Sequence, residues 1–315
     1  MELELQQSKI DLFTDSLKKL APWMNQYKFS DEMVVGYYKY DGLGEEMTFC
    51  HSRSPRERIE CLLNAYHSNN HSIWMDFVRI LFDRLELQSP GNAALLDISS
   101  ATGHNSILAV DYGFGKVYSS EIRKHQCDQQ NLIYDCLEDQ KYRQRITVAN
   151  DTISADSPDF IDLYRDVKLD TVLSFGLLYH LMNPVQHIRN LYEITDRYAI
   201  IYTMTHQEPN METLWKLRLE NKDWITKATS SISWCPHFMG LPEIIKQIGF
   251  RSVQIVYPEV FNRNFPVKAY SVKKMALQKQ LRKFGIKVGY YKNLDFNFFK
   301  QLTVNPSYYA YILEK

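Results

Sequence analysis

No apolar run in this chain approaches the roughly 20 residues that a membrane-crossing helix needs, so no spanning segment is expected. The opening residues Met1–Ser8 have neither a basic start nor an apolar core, and no secretory signal is expected there. CxxC spacing is missing too. The five cysteines, Cys50, Cys61, Cys127, Cys136 and Cys235, are scattered, which argues against a disulfide framework or a zinc site and for reduced thiols in a cytoplasmic protein. His67, His71 and His104 have no acids at ligand spacing, so no metal is expected. Internal repeats and low-complexity tracts are absent. A formal net charge of zero excludes any global pull toward nucleic acid or an anionic membrane.

What is present is an alternation of short apolar runs and helical stretches. Candidate strands are Ala93–Ile98, Lys116–Ser120, Ile146–Ala149, Leu169–Phe175, Tyr198–Thr203, Phe250–Val256 and Tyr308–Leu313. Candidate helices lie between them at His104–Tyr112, Ile122–Leu137, Phe160–Arg165, Val185–Asp196 and Leu241–Ile248, the last ended by Gly249. The early strands are nearly continuous in Val, Ile and Leu, as strands buried on both faces are. Short alternating connections imply right-handed crossovers and a doubly wound, mostly parallel α/β sheet of seven strands. Residues 91–315 would form this core, with insertions at about 206–239 and 260–304. Residues 1–90 read as a helical and irregular N-terminal cap, with helical stretches at Asp11–Leu20, Ser54–Asn64 and Ser72–Leu87 and an aromatic, Gly-containing stretch at Trp23–Gly44.

Asp97-Ile98-Ser99-Ser100-Ala101-Thr102-Gly103 reads as a strand running into a tight turn of small residues before a helix. Small residues let backbone N–H groups approach a ligand closely, with a helix N-terminus behind them. Acids end the next two strands, at Glu121 and at Asp151, which Thr152 follows. A carboxylate at the end of the second strand can accept both hydroxyls of a ribose. This is the skeleton of a nucleotide-type cofactor site, although a dinucleotide fingerprint would have three glycines in its turn.

In these residues the chain resembles the class I S-adenosylmethionine-dependent methyltransferases. Their pattern, Asp-x-Gly-x-Gly-x-Gly followed by an acid after each of the next two strands, matches at Asp97, Ser99, Ala101, Gly103, Glu121 and Asp151, with two glycines replaced. The resemblance covers about Leu95 to Glu259 and implies a Rossmann-like fold with an antiparallel last strand. It also implies S-adenosyl-L-methionine as cofactor, held by those six residues with Thr152, Phe175 and Tyr179. Phe175-Gly176-Leu177-Leu178-Tyr179-His180, Trp234-Cys235-Pro236-His237 and Pro22-Trp23 are similar to the branch containing the tRNA wobble-uridine carboxymethyltransferase. That branch has basic character before a proline where this chain has Leu181-Met182-Asn183-Pro184.

Methyl transfer needs a base when the acceptor is a hydroxyl or a protonated amine. His180 is a candidate base or substrate-positioning group, or else a histidine bonded to backbone at a helix start. His206 is a second candidate. Trp23, Tyr38, Trp234 and His237 are candidate substrate-pocket residues, with plain packing as the alternative for each. The expected activity is methyl transfer to oxygen or nitrogen of a small-molecule acceptor. Two alternatives remain. One is tRNA modification, supported by ten Lys or Arg against one acid between Phe261 and Lys300 and by a possible cationic helix face within Lys273–Lys292. The other is a non-catalytic cofactor-binding or scaffold protein, suggested by Ser99 and Ala101. Which acceptor is used and how many copies assemble are not legible.

Overall fold

The computed structural model describes residues 27–28, 34–35, 69–136, 140–206, 215–219, 232–256 and 307–315. Near the N-terminus, β1 (Tyr27–Lys28) and β2 (Val34–Val35) pair antiparallel. Next comes α1 (Asn69–Asp83), within the stretch assigned to the cap. The alternating region then runs β3 (Ala94–Ile98), α2 (His104–Tyr112), β4 (Lys116–Glu121), α3 (Lys124–Cys136), α4 (Lys141–Arg145), β5 (Ile146–Asn150), β6 (Leu169–Phe175), α5 (Pro184–Ile194) and β7 (Thr195–Thr205). A hairpin of β8 (Trp215–Leu219) and β9 (Ile232–Pro236), then α6 (Gly240–Ile248), β10 (Ser252–Val256) and β11 (Ser307–Glu314) complete the described chain.

Seven strands form one sheet in the order β10-β11-β7-β6-β3-β4-β5. Pairs among β3 to β7 are parallel, and β11 runs antiparallel to both β7 and β10. Alternation along each strand explains why both faces are covered. Leu95, Leu173 and Ile200 point into one buried cluster with α1 and α2, while Leu96, Val172 and Ile201 point into the other with α5 and α6. Fully burying each such side chain contributes about 1.5–3 kcal/mol. In the first cluster α1 presents Phe77, Val78, Leu81 and Phe82, all buried, and the Phe82 ring meets Phe114 at 5.4 Å.

Two helix expectations need correction. Phe160–Arg165 is a 3-10 turn over Pro158–Leu163, begun by Pro158 and capped by Ser157, whose hydroxyl accepts from the Asp159 N–H. Helix α5 stops at Ile194, before the expected Asp196, because Thr195 is already extended and pairs with Leu169 of β6. The β8–β9 hairpin inside the first insertion was not foreseen. The stretches Asp11–Leu20, most of Trp23–Gly44, Ser54–Asn64 and the basic segment Lys273–Lys292 lie outside the described residues.

Candidate active site

Strand β3 lies between β4 and β6, so chain connections depart to opposite sides there, and a crevice opens beyond the carboxyl ends of the strands. A cavity of about 260 Å³ occupies this edge. Its walls are the turn after β3 (Ile98, Ser99, Ala101), residues 120–123 at the end of β4, Asp151 and residues 153–155 after β5, Phe160, and residues 175–177 and 179–181 after β6.

The turn adopts the conformation a glycine-rich turn would adopt, without two of the glycines. Ser99 has φ 58° and Ala101 φ 51°, the two left-handed non-glycine residues among those described, and Gly103 follows at φ 79°. A left-handed L-residue costs about 1–2 kcal/mol. Hydrogen bonds hold Ala101 from both sides. Its N–H donates to Glu121 Oε2 at 2.9 Å, and its carbonyl accepts from Gln130 Nε2 at 2.7 Å. Gln130, reaching up from α3, also donates to Ser100 Oγ at 2.9 Å, and the Ser100 N–H donates to the Ser120 carbonyl at 2.9 Å. At Gly103 a second constraint joins the positive φ: a Cβ there would lie 1.9 Å from Tyr134 Oη. The turn therefore admits a Cβ at its first two positions and none at the third.

Three acids end the three strands, in three different settings. Asp97 is 1% exposed beneath the turn and does not reach the cavity wall. Its Oδ2 accepts from Ser106 Oγ at 2.8 Å, and burial pushes its pKa up to about 7. Glu121 lies on the wall with a fully buried side chain. Its Oε1 accepts from the Arg123 N–H at 2.9 Å and Arg123 Nε at 2.8 Å; its Oε2 accepts from Ala101 and from Arg123 Nη2 at 3.0 Å. Asp151, also on the wall, accepts from Ser120 Oγ and from Tyr164 Oη, the latter at 3.0 Å. Burial raises the Asp151 pKa against the pull of those two hydroxyls. Thr152 is exposed and off the wall.

Beyond β6, Phe175, Tyr179 and His180 all line the cavity, the last two with ring centroids 4.1 Å apart. Tyr179 and His180 sit on a 3-10 turn, Leu178–His180, against which β9 packs. His206 and His237 form an isolated bridge just past β7 and β9, with rings 5.1 Å apart, and neither reaches the cavity wall. Both are buried, and His237 Nδ1 accepts from the Met239 N–H at 3.2 Å. Trp234, on β9 beside them, is also off the wall. Trp23 and Tyr38 lie outside the described residues.

Several residues in the wall or behind it are not named by any sequence motif. Arg123, Ser120 and Tyr164 act through Glu121 and Asp151. The available signal for Arg123 was its place two residues after a strand-ending acid. His187 is buried behind the wall and bonds Ala155 and Ser174. Among the described residues no group of three His, Cys, Asp or Glu could hold a metal ion, and no helix is long and apolar enough to cross a membrane.

No family model matches the chain, and no curated protein matches it. Solved structures do. The N-terminal domain of EvdMO1 with SAH bound superposes with a TM-score of 0.53 at 15% identity, covering 79% of this chain and 90% of that one. The same domain in the presence of SAH and D-fucose gives 0.52 at 15% identity, over 79% and 90%. The whole of EvdMO1 gives 0.52 at 9% identity, over 97% of this chain and 47% of that one. The strand order, the antiparallel last strand and these superpositions together give the chain the Rossmann-like fold of the S-adenosylmethionine-dependent methyltransferases.

Proposed function

We propose that this chain binds S-adenosylmethionine and transfers its methyl group to an oxygen or nitrogen of a small-molecule acceptor. The observation that carries the reading is the cavity at the switch point, walled by a left-handed turn at Ser99 and Ala101 and by the strand-ending acids Glu121 and Asp151. The residues present fit the cofactor. The turn keeps a glycine-type backbone despite its two Cβ atoms, and Glu121 lines the wall with its carboxylate fixed by the Ala101 and Arg123 N–H groups.

Bound, the cofactor would supply an activated methyl group on a sulfonium, whose leaving group is a neutral thioether. Little acid–base chemistry is then asked of the protein, and alignment dominates. Glu121 would take the ribose hydroxyls, Asp151 the adenine end and the turn after β3 the methionine end. Phe175, Leu177 and Tyr179 supply the apolar wall that excludes water. His180 lines the same wall and would accept the proton of a hydroxyl or amine acceptor. Among the described residues Arg123 is the one Lys or Arg on that wall, and its charge is paired with Glu121, which favours a small acceptor over a polyanion.

Calorimetric titration of the folded protein with S-adenosylmethionine and with S-adenosylhomocysteine tests the reading. Saturable 1:1 binding of both is expected. Folded protein that binds neither overturns it.

A further inference from the structure

We infer that Arg123 is a specificity-determining residue that competes with the ligand for Glu121: its guanidinium occupies the two acceptor positions that a vicinal diol would use. The inference rests on the cofactor reading above and adds a residue to it.

A carboxylate has about four lone-pair sites, two on each oxygen. Glu121 fills all four. Two are taken by backbone, from the Arg123 N–H to Oε1 and from the Ala101 N–H to Oε2, each at 2.9 Å. These two bonds belong to the fold and need no side chain. The other two come from one planar fork, Arg123 Nε to Oε1 at 2.8 Å and Nη2 to Oε2 at 3.0 Å. Moving the fork aside leaves one open site on each oxygen. That is the pattern a cis-diol donates to with its two hydroxyls.

Geometry allows the exchange. The Glu121 side chain is fully buried, whereas Arg123 is 33% exposed, and both line the cavity. The fork therefore has a route outward, and the carboxylate stays pinned by backbone while it leaves. Without the fork one acceptor site on each carboxylate oxygen would go unfilled, so the guanidinium satisfies these two sites when no diol is bound. The ion pair lowers apparent affinity for the ligand by the fraction of molecules with the fork displaced. A half-open ion pair worth ~1 kcal/mol corresponds to about a fivefold reduction.

The test is calorimetric titration of S-adenosylhomocysteine into wild type, Arg123→Ala and Arg123→Lys, with adenosine and 2′,3′-dideoxyadenosine as probes of the diol. Folding is checked by thermal melts. Arg123→Ala keeps both backbone donors, so it should bind S-adenosylhomocysteine about fivefold more tightly, with a wider preference for adenosine over the dideoxy compound. Lys cannot form the fork and should fall between the two. Equal or weaker binding by Arg123→Ala overturns the inference, because the guanidinium would then be neutral or a ligand contact. Folded wild type and variants that all fail to bind S-adenosylhomocysteine would instead sink the cofactor reading itself.

Discussion

At the scale of single residues, the turn after β3 separates two uses of glycine that a sequence pattern merges. Ser99 and Ala101 hold positive φ with a Cβ present, so at those positions the requirement is for backbone conformation alone. Glu121 and Gln130 supply the opposing bonds that keep Ala101 there. Gly103 is different, because Tyr134 Oη occupies the space a Cβ would need. Gly103→Ala should therefore lose more than about 2 kcal/mol in urea denaturation, from the clash added to the left-handed strain. Adding Tyr134→Phe removes the oxygen responsible and should restore part of that loss, whereas Tyr134→Phe alone costs the hydroxyl's bonds to the Gly103 carbonyl at 3.2 Å and to Gln130 Oε1 at 3.5 Å. Additive effects of the two changes would refute the steric account.

Between elements, the cavity wall depends on a buried histidine that no motif pointed to. His187 on α5 donates from Nδ1 to the Ala155 carbonyl at 3.1 Å, and its Nε2 accepts from Ser174 Oγ at 2.8 Å. It thereby ties α5 to β6 and to the loop after β5 that carries Ala155 to the wall. Burial drives its pKa down from 6.5 to about 4, so the ring is neutral in the folded protein. Between those values the unfolded chain binds the extra proton, and stability falls as pH falls. The contribution is complete above pH 6.5 and lost as pH drops toward about 4. Asp97 acts in the opposite direction: raised to about 7, it loses its contribution as pH rises from 3.8. A wild-type pH profile alone would blur the two. The stability difference between wild type and His187→Gln isolates the first, and should shrink by about 3 kcal/mol as pH falls from 7 to 4. A difference independent of pH would mean that His187 titrates normally. The sequence pattern placed β6 and most of α5, yet this link joins residues distant in sequence and left no local trace.

For the whole molecule, the last strand completes the sheet. β11 inserts between β7 and β10, pairing antiparallel with both, and buries Tyr309 and Tyr311 in the cluster that includes α5 and α6. Tyr311 Oη donates to the Phe238 carbonyl at 3.1 Å, joining the strand to the segment just before α6. Tyr311→Ala should cost about 3–5 kcal/mol in denaturant unfolding, as large-to-small changes at buried aromatics do. Tyr311→Phe should cost about 1 kcal/mol, the net worth of one buried bond. Near-equal losses for the two would place the value in the hydroxyl instead of in the packing.

Strand and helix order, the switch-point turn and the three strand-ending acids were legible in the sequence, because hydrophobic alternation and small-residue turns are local properties. Asp97 shows where that legibility stops: it has the right residue at the right position, and burial under the turn takes it off the cavity wall. Only tertiary structure decided which groups meet. It set Arg123 against Glu121, Tyr164 against Asp151, Gln130 beneath Ala101, and His206 against His237 away from the cavity. Each pairing depends on where a long or polar side chain finds its partner across elements. The physical reason is that a buried polar atom must be satisfied by whatever the fold brings near, and the pattern along one strand does not name that partner.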